Sequence, residues 1–417
     1  MNCKKAFILF ISIFCLCVNT SAQKINSSSG EFIEFANNSR QSNRIPIKIV
    51  NNQLLVELTL DHNLTVNFLL DTGVSTTIIT DPIIASFLNL EYVRDIKVRG
   101  YGREEPLTGF VAKDFDFKLN DKHVFADRSV IVLDEALSLS NFLGEPIYGI
   151  IGYEIFKDYR VEINYLAQSI KLASNKKPLR KRRKYEVIPI DIRGNKPYIS
   201  VEITDNAKLD SMNVLVDTGF SGALSLFPKE KNGKYIEDPA IENYRGTGIN
   251  GAILSTLKKL ERIDIGKYEL HEVTTNFLDS SSLVNFNPSL YSDGSIGGEV
   301  LKRYRVIIDY QHKEIALKKN MNYKKKFNYN IAGLRIRSDD EQSRSKFVDT
   351  VRPDSPSFEA GIRENDKIIR LNHKSTKFMN YERIYAELND LNEPNKTIMV
   401  ERGEEVLTFE IFLQDVF

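Results

Sequence analysis

The chain has 417 residues, too many for one ordinary core and enough for two or three domains. Composition is globular, 42% hydrophobic and 27% charged, and 57 basic against 56 acidic side chains leave a net charge of +1. That balance argues against a nucleic-acid partner for the chain as a whole.

At the N-terminus Lys4 and Lys5 precede an apolar run from Ala6 to Val18 and the small pair Ser21-Ala22. The order predicts a secretory signal over residues 1–22 and an exported chain, periplasmic or extracellular. The run is about 13 residues, short of the ~20 a membrane span needs. Cys3, Cys15 and Cys17 all fall inside the signal, so the mature chain carries no disulfide, no thiolate metal site and no Cys nucleophile. His62, His123, His271, His312 and His373 show no paired zinc-binding spacing, and neither a G-x-S-x-G elbow nor a P-loop is present. No metal or cofactor is expected, and carboxylates remain as the catalytic groups. Residues 23–44, rich in Asn and Ser, read as a flexible leader, with a pro-segment as the alternative.

Beyond the leader the chain repeats itself. Leu69-Leu70-Asp71-Thr72-Gly73 recurs as Leu215-Val216-Asp217-Thr218-Gly219, an offset of 146, and Gly100-Tyr101-Gly102 answers Gly246-Thr247-Gly248 at the same offset. The stretch from Gly149 to Asn164 recurs from Gly294 to Asp309 at an offset of 145. Three landmarks at nearly one offset predict a duplicated domain, with lobes over 45–175 and 188–319. Both read as all-β. Val56, Leu58 and Leu60 alternate with Glu57 and Thr59, and Ile199, Val201 and Ile203 alternate with Ser200 and Glu202, as half-buried strands do. Strand pairs are expected within 163–172 and 308–317, and short helices on 153–157 and 298–302. Between the lobes, 176–187 contains seven basic residues in nine, from Lys176 to Lys184, and reads as a solvated linker, with a protease-sensitive or polyanion-binding strip as the alternative.

The paired D-T-G segments carry the chemistry. An apolar strand end delivers Asp71 or Asp217 at its tip, a small hydroxyl residue follows, and Gly73 or Gly219 permits a close-packed turn. Around a pseudo-two-fold axis the turns meet and the carboxyls lie side by side. Two such groups cannot both ionise cheaply, so they share one proton and titrate as a pair. One member then activates water while the other stabilises the tetrahedral species formed at a peptide carbonyl.

Asp71-Thr72-Gly73 followed by Ile150-Ile151-Gly152, and Asp217-Thr218-Gly219 followed by Ser295-Ile296-Gly297, resemble the retropepsin-like aspartic peptidases over about 45–319. The resemblance implies an aspartic endopeptidase built as a fused dimer, monomeric, with a peptide or protein substrate. Thr72 and Thr218 would brace the dyad, and the Gly100-Tyr101-Gly102 and Gly246-Thr247-Gly248 segments would be flap tips. Val74 and Phe220 stand where the family often has Ala, and Ser295 replaces an apolar residue; the flaps differ, with Tyr101 and Arg103 against Thr247 and Ile249, so an asymmetric cleft is expected.

After a basic stretch at Lys324–Lys326 the composition changes. The run Ser355-Pro356 to Ile362, then Asp366 to Asn372, resembles a PDZ domain of the bacterial exported kind over 327–417. An amphipathic helix is expected on 381–388 and strands on 397–401 and 406–413. The resemblance implies that Gly333, Leu334, Arg335 and Ile336 form the edge that takes a C-terminal peptide by β-augmentation. A catalytically silent, exported peptide-binding protein is the alternative to the enzyme; a two-carboxylate glycosidase would not require symmetric D-T-G turns.

Overall fold

The computed structural model describes residues 44–179, 184–228, 239–284, 292–338 and 344–417. The expected signal over 1–22, the leader up to residue 43 and linker residues 180–183 lie outside them. The described chain is mostly β. None of its helices is long and apolar enough to cross a membrane.

Two eight-stranded sheets have the same strand order, position for position. The first runs Lys48–Val50, Gln53–Thr59, Thr65–Leu70, Gly149–Ile151, Thr77–Ile79, His123–Leu133, Leu107–Asn120, Glu91–Val98. The second runs Asp191–Arg193, Lys196–Asp205, Lys208–Val216, Gly294–Ile296, Leu224–Leu226, Tyr268–Leu278, Gly251–Ile265, Ile241–Gly248. The alternating residues behave as the pattern requires: Val56, Leu58, Ile199, Val201 and Ile203 are buried, while Glu57, Ser200 and Glu202 are exposed. Strands ending at the D-T-G turns are different. Phe68, Leu69 and Leu70 are all fully buried because Thr65–Leu70 pairs in parallel with Gly149–Ile151 at the centre of its sheet. Lys208–Val216 pairs with Gly294–Ile296 in the same way. Short helices come next at Tyr153–Asp158 and Gly298–Leu301, within a residue of expectation.

A third sheet joins the halves, in the order Arg44–Pro46, Ser169–Ala173, Arg160–Asn164, Tyr304–Asp309, Glu314–Lys319, Glu186–Pro189. At its centre Val161 pairs with Ile308, Glu162 with Ile307 and Ile163 with Val306. Val306 and Ile308 are the repeat counterparts of Val161 and Ile163, so each residue faces its partner's counterpart, as a two-fold axis at the Glu162–Ile307 pair demands. One hydrophobic core runs through this sheet and both lobes, including Val56, Ile163, Val201 and Ile308.

The linker departs from a purely solvated reading. Leu179 is buried against Ile307 and Ala316, and residues 186–189 form the outer strand of the joining sheet, because an apolar sheet face and an open edge both have to be covered. The 320–327 connector is also held. Arg303, fully buried, donates to the carbonyls of Asn322 at 3.0 Å and Lys326 at 3.2 Å, and its guanidinium lies 3.5 Å from the centre of the Phe327 ring. Phe327 therefore belongs to the core of the lobes rather than to the C-terminal unit.

That C-terminal unit is a sheet ordered Leu334–Arg337, Phe347–Val351, Lys367–Leu371, Asn395–Arg402, Glu405–Phe412, with a helix at Tyr381–Leu388. Its separate core includes Leu334, Ile336, Ile384 and Val400, and also Ile241 and Leu257 from the second lobe. Lys259 Nζ reaches Asp415 at 3.0 Å across the same contact.

Candidate active site

Each candidate aspartate sits at the end of a buried strand and is anchored through its backbone. The Asp71 N–H donates to Ile151 O at 2.8 Å, and the Asp217 N–H to Ile296 O at 2.9 Å. The turns then fold back on the carboxyls. Gly73 N–H donates to Asp71 Oδ1 at 2.6 Å; the Gly219 and Phe220 N–H groups each donate to Asp217 Oδ1 at 3.0 Å. Only glycine fits there. A Cβ on Gly219 would lie 2.4 Å from Asp71 Cγ, and one on Gly73 would lie 2.9 Å from Asp71 Oδ1 and 3.4 Å from Asp217 Oδ1. The same distances and the Gly219 N–H bond place both carboxyls against both turns.

Thr72 and Thr218 lock the arrangement reciprocally. Thr72 Oγ1 donates to Val216 O at 2.5 Å, and Thr218 Oγ1 to Leu70 O at 2.8 Å. In return the Thr72 N–H donates to Thr218 Oγ1 at 3.0 Å, and the Thr218 N–H to Thr72 Oγ1 at 3.1 Å. Four buried bonds cross the pseudo-two-fold axis, and each hydroxyl satisfies groups that would otherwise be stranded.

Both aspartates are fully buried. Burial first, and then the neighbouring Asp217, push the Asp71 carboxyl well above the ordinary carboxylate range; the Gly73 N–H and the Lys196 ammonium act in the opposite direction. Among the described residues no group of three or more His, Cys, Asp or Glu could hold a metal.

Sequence reasoning missed a second set of contacts, in which each lobe sends a hairpin onto the other's D-T-G turn. Asn52 Nδ2 donates to Ser221 O at 3.0 Å and to Glu299 Oε2 at 2.8 Å, and Gln53 Nε2 donates to Gly219 O. Reciprocally, Ser75 Oγ donates to Gly194 O at 2.8 Å. The turn residues Asn51 and Asn52 have positive φ, as do their counterparts Gly194 and Asn195. Lys196, buried, thereby occupies the position in the second lobe that Gln53 holds in the first. The Asn-Asn and Gly-Asn dipeptides are hairpin signals that could have exposed this symmetry.

Gly100-Tyr101-Gly102 lie in the loop between Glu91–Val98 and Leu107–Asn120. Gly246-Thr247-Gly248 do not lie at a tip: they pair with Ile253, Ala252 and Gly251, and the turn itself is Ile249-Asn250. The repeat offset fails here because the second flap closes in a two-residue hairpin while the first uses a longer loop. The tips grip each other. Asn250 N–H donates to Tyr101 O at 3.0 Å and Glu104 N–H to Asn250 O at 2.8 Å, while the Gly100 N–H donates to Asn250 Oδ1. A Cβ on Gly248 would stand 2.0 Å from Tyr101 O, so close passage of the flaps needs glycine.

The expected peptide edge of the C-terminal unit is engaged from several sides. Gly333 N–H donates to Asn330 Oδ1 at 3.0 Å, Leu334 O accepts from Asn330 Nδ2 at 2.7 Å, and Ile336 N–H donates to the Tyr385 hydroxyl at 3.0 Å. Beyond it, Ser338 N–H donates at 2.8 Å to Asn141 O of the first lobe, which also accepts from the Tyr381 hydroxyl at 3.0 Å. Arg335 Nη1 donates at 2.9 Å to Thr247 Oγ1 in the second flap and pairs through Nε with Asp349. This unit thus touches one flap and the opposite lobe together. No family model and no curated protein matches the chain.

Proposed function

We propose that the protein is an exported aspartic endopeptidase, with two fused retropepsin-like lobes sharing the Asp71–Asp217 dyad and a C-terminal PDZ domain that recruits substrate or partner. The observation that supports the reading is the reciprocal clasp of Thr72 and Thr218, which sets two buried carboxyls against the same pair of turns. Peptide binding alone has no use for two acids forced to share a proton.

In the reaction the ionised member takes a proton from water, whose oxygen attacks the scissile carbonyl carbon. The protonated member hydrogen-bonds the carbonyl oxygen and transfers its proton to it as the tetrahedral species forms. Collapse of that species breaks the C–N bond: the aspartate that took the water proton gives it to the leaving amine, and the other takes one back from a hydroxyl of the tetrahedral species as the carboxylic acid product forms. The dyad regains its single shared proton, and no covalent enzyme intermediate is formed. The aspartates are fully buried and the two loop tips are bonded to each other, so in this reading substrate entry requires Tyr101 and Asn250 to part.

The test is hydrolysis of unfolded polypeptide by purified protein from acidic to neutral pH. Cleavage by the native chain, lost in Asp71→Asn and in Asp217→Asn, is the expected result. Cleavage that survives either change rejects the shared dyad.

A further inference from the structure

The second flap is packed into the C-terminal unit. Its strands, Ile241–Gly248 and Gly251–Ile265, place Ile241 and Leu257 in the core of that unit, with Tyr244 packed against it. The Tyr244 hydroxyl accepts from the Asn330 N–H at 3.4 Å. Nearer the tip, Arg335 Nη1 donates to Thr247 Oγ1 at 2.9 Å and to Gly246 O at 3.4 Å. Further along the second strand Lys259 pairs with Asp415 at 3.0 Å. The first lobe differs here: its counterpart strand, Glu91–Val98, is exposed from Glu91 to Asp95.

The first lobe holds the C-terminal unit through a short segment, the helix Ser140–Leu143. The Asn141 carbonyl accepts from the Ser338 N–H at 2.8 Å and from the Tyr381 hydroxyl at 3.0 Å. The Arg335 guanidinium lies 6.0 Å from the centre of the Phe142 ring. Once Tyr101 and Asn250 part, the second flap can rise in two ways. It can peel away from the C-terminal unit, which exposes Ile241 and Leu257 and breaks the bonds of Tyr244, Thr247 and Lys259. Or it can carry the unit along, which breaks two bonds on one carbonyl and uncovers one ring. Water replaces hydrogen bonds at small net cost, whereas exposing buried apolar side chains is expensive, so the Asn141 contact is the one that gives way.

Resting on the peptidase reading, we infer that the C-terminal unit and the second flap form one lid over the dyad, latched to the first lobe by the contact of Asn141 with Ser338 and Tyr381. The dyad is reached when the latch opens and the unit moves with the flap. Entry is therefore regulated from a contact outside the cleft, and the first flap, free of the unit, has no such restraint.

Tyr381→Phe tests the latch, because it removes one bond from the Asn141 carbonyl and leaves the joint between flap and unit intact. Amides of residues 246–254 and of residues 334–338 should both exchange roughly threefold faster or more, and by a common factor. The kcat/KM for a short peptide should rise with them, since the open fraction sets the apparent affinity. The opposite change comes from Asn141→Cys with Ser338→Cys, which places the only two thiols within residues 44–417 at this contact. Its oxidised form should exchange the same amides more slowly than its reduced form and cleave more slowly, with recovery on adding reductant. That comparison within one protein decides the matter if Tyr381→Phe fails to fold. The lid is overturned by faster exchange at 334–338 without the flap, by unchanged exchange in both, or by oxidised and reduced forms that exchange alike. A kcat/KM that stays constant while the flap loosens overturns it too. Exchange that responds as expected while no peptide is cut leaves the lid standing and rejects the peptidase reading.

Discussion

At the hairpin that crosses onto the opposite D-T-G turn, the first lobe presents Gln53 and the second presents Lys196. At the flap, the first lobe uses a loop tipped by Tyr101 and the second a tight turn at Ile249-Asn250. The C-terminal unit holds the second flap through Arg335, while the first lobe lends that unit the Asn141 carbonyl. Against this, strand order, parallel pairing before the dyad and the Thr72–Thr218 clasp are the same in both halves. The symmetry thus lives in backbone hydrogen bonds around the carboxyls, and the asymmetry in side chains that reach from one lobe to the other.

The comparison is broken most severely at the dyad. If both halves supply one acid to one reaction, Asp71→Asn and Asp217→Asn should each reduce kcat by roughly 10³-fold or more, to similar residual rates, in single-turnover assays. A large difference between the two would mean that one lobe alone carries the chemistry.

Stability measurements sharpen the same point. Thr72→Val and Thr218→Val each delete a buried hydroxyl that donates to one carbonyl and accepts one N–H, and each should cost about 2 kcal/mol in denaturant unfolding. Unequal costs would show that the clasp is symmetric in shape but not in energy.

Asp71 offers a pH test whose sign follows from its raised pKa. The folded state holds this proton more tightly than the unfolded chain, so native stability falls as pH rises above the ordinary carboxylate value of 3.8. Asp71→Asn should therefore melt higher than the native protein at neutral pH, and the gain should disappear in acid below that value. A gain that persists at low pH would assign it to packing instead.

Exchanging Lys196 for its counterpart tests the electrostatic asymmetry. Lys196 lowers the Asp71 pKa, so Lys196→Gln should move the acidic limb of the kcat/KM profile upward. An unmoved limb would leave Lys196 a packing residue. The smallest effect is expected at the C-terminal contact. Arg335→Ala removes a bond to Thr247, so amides of the second flap should exchange severalfold faster, with the Val98–Leu107 side less affected. Equal acceleration of both flaps would show that they open as one body.

Much of this is legible in the sequence. A hydrophobic period of two, a 146-residue repeat and glycines at fixed offsets from Asp71 and Asp217 are local signals, because strand burial and turn geometry depend on near neighbours in the chain. The helix at Tyr381–Leu388 and the strand pairs closing each lobe are readable for the same reason. The offset misleads at Gly246-Thr247-Gly248, where a shorter hairpin moves the tip to Ile249-Asn250.

The sequence by itself determined that two similar β units each carry one acid on an apolar strand end. Which groups surround those acids was decided by tertiary structure alone. Gln53 meets Gly219 across 166 positions of chain and Arg335 meets Thr247 across 88, while Tyr101 and Ile249 each settle in the opposite lobe. No local pattern encodes such partners. The joining sheet pairs the two halves that carry the carboxyls. Its pairing of Arg160–Asn164 with Tyr304–Asp309 brings the two halves together, and the two turns form one buried site.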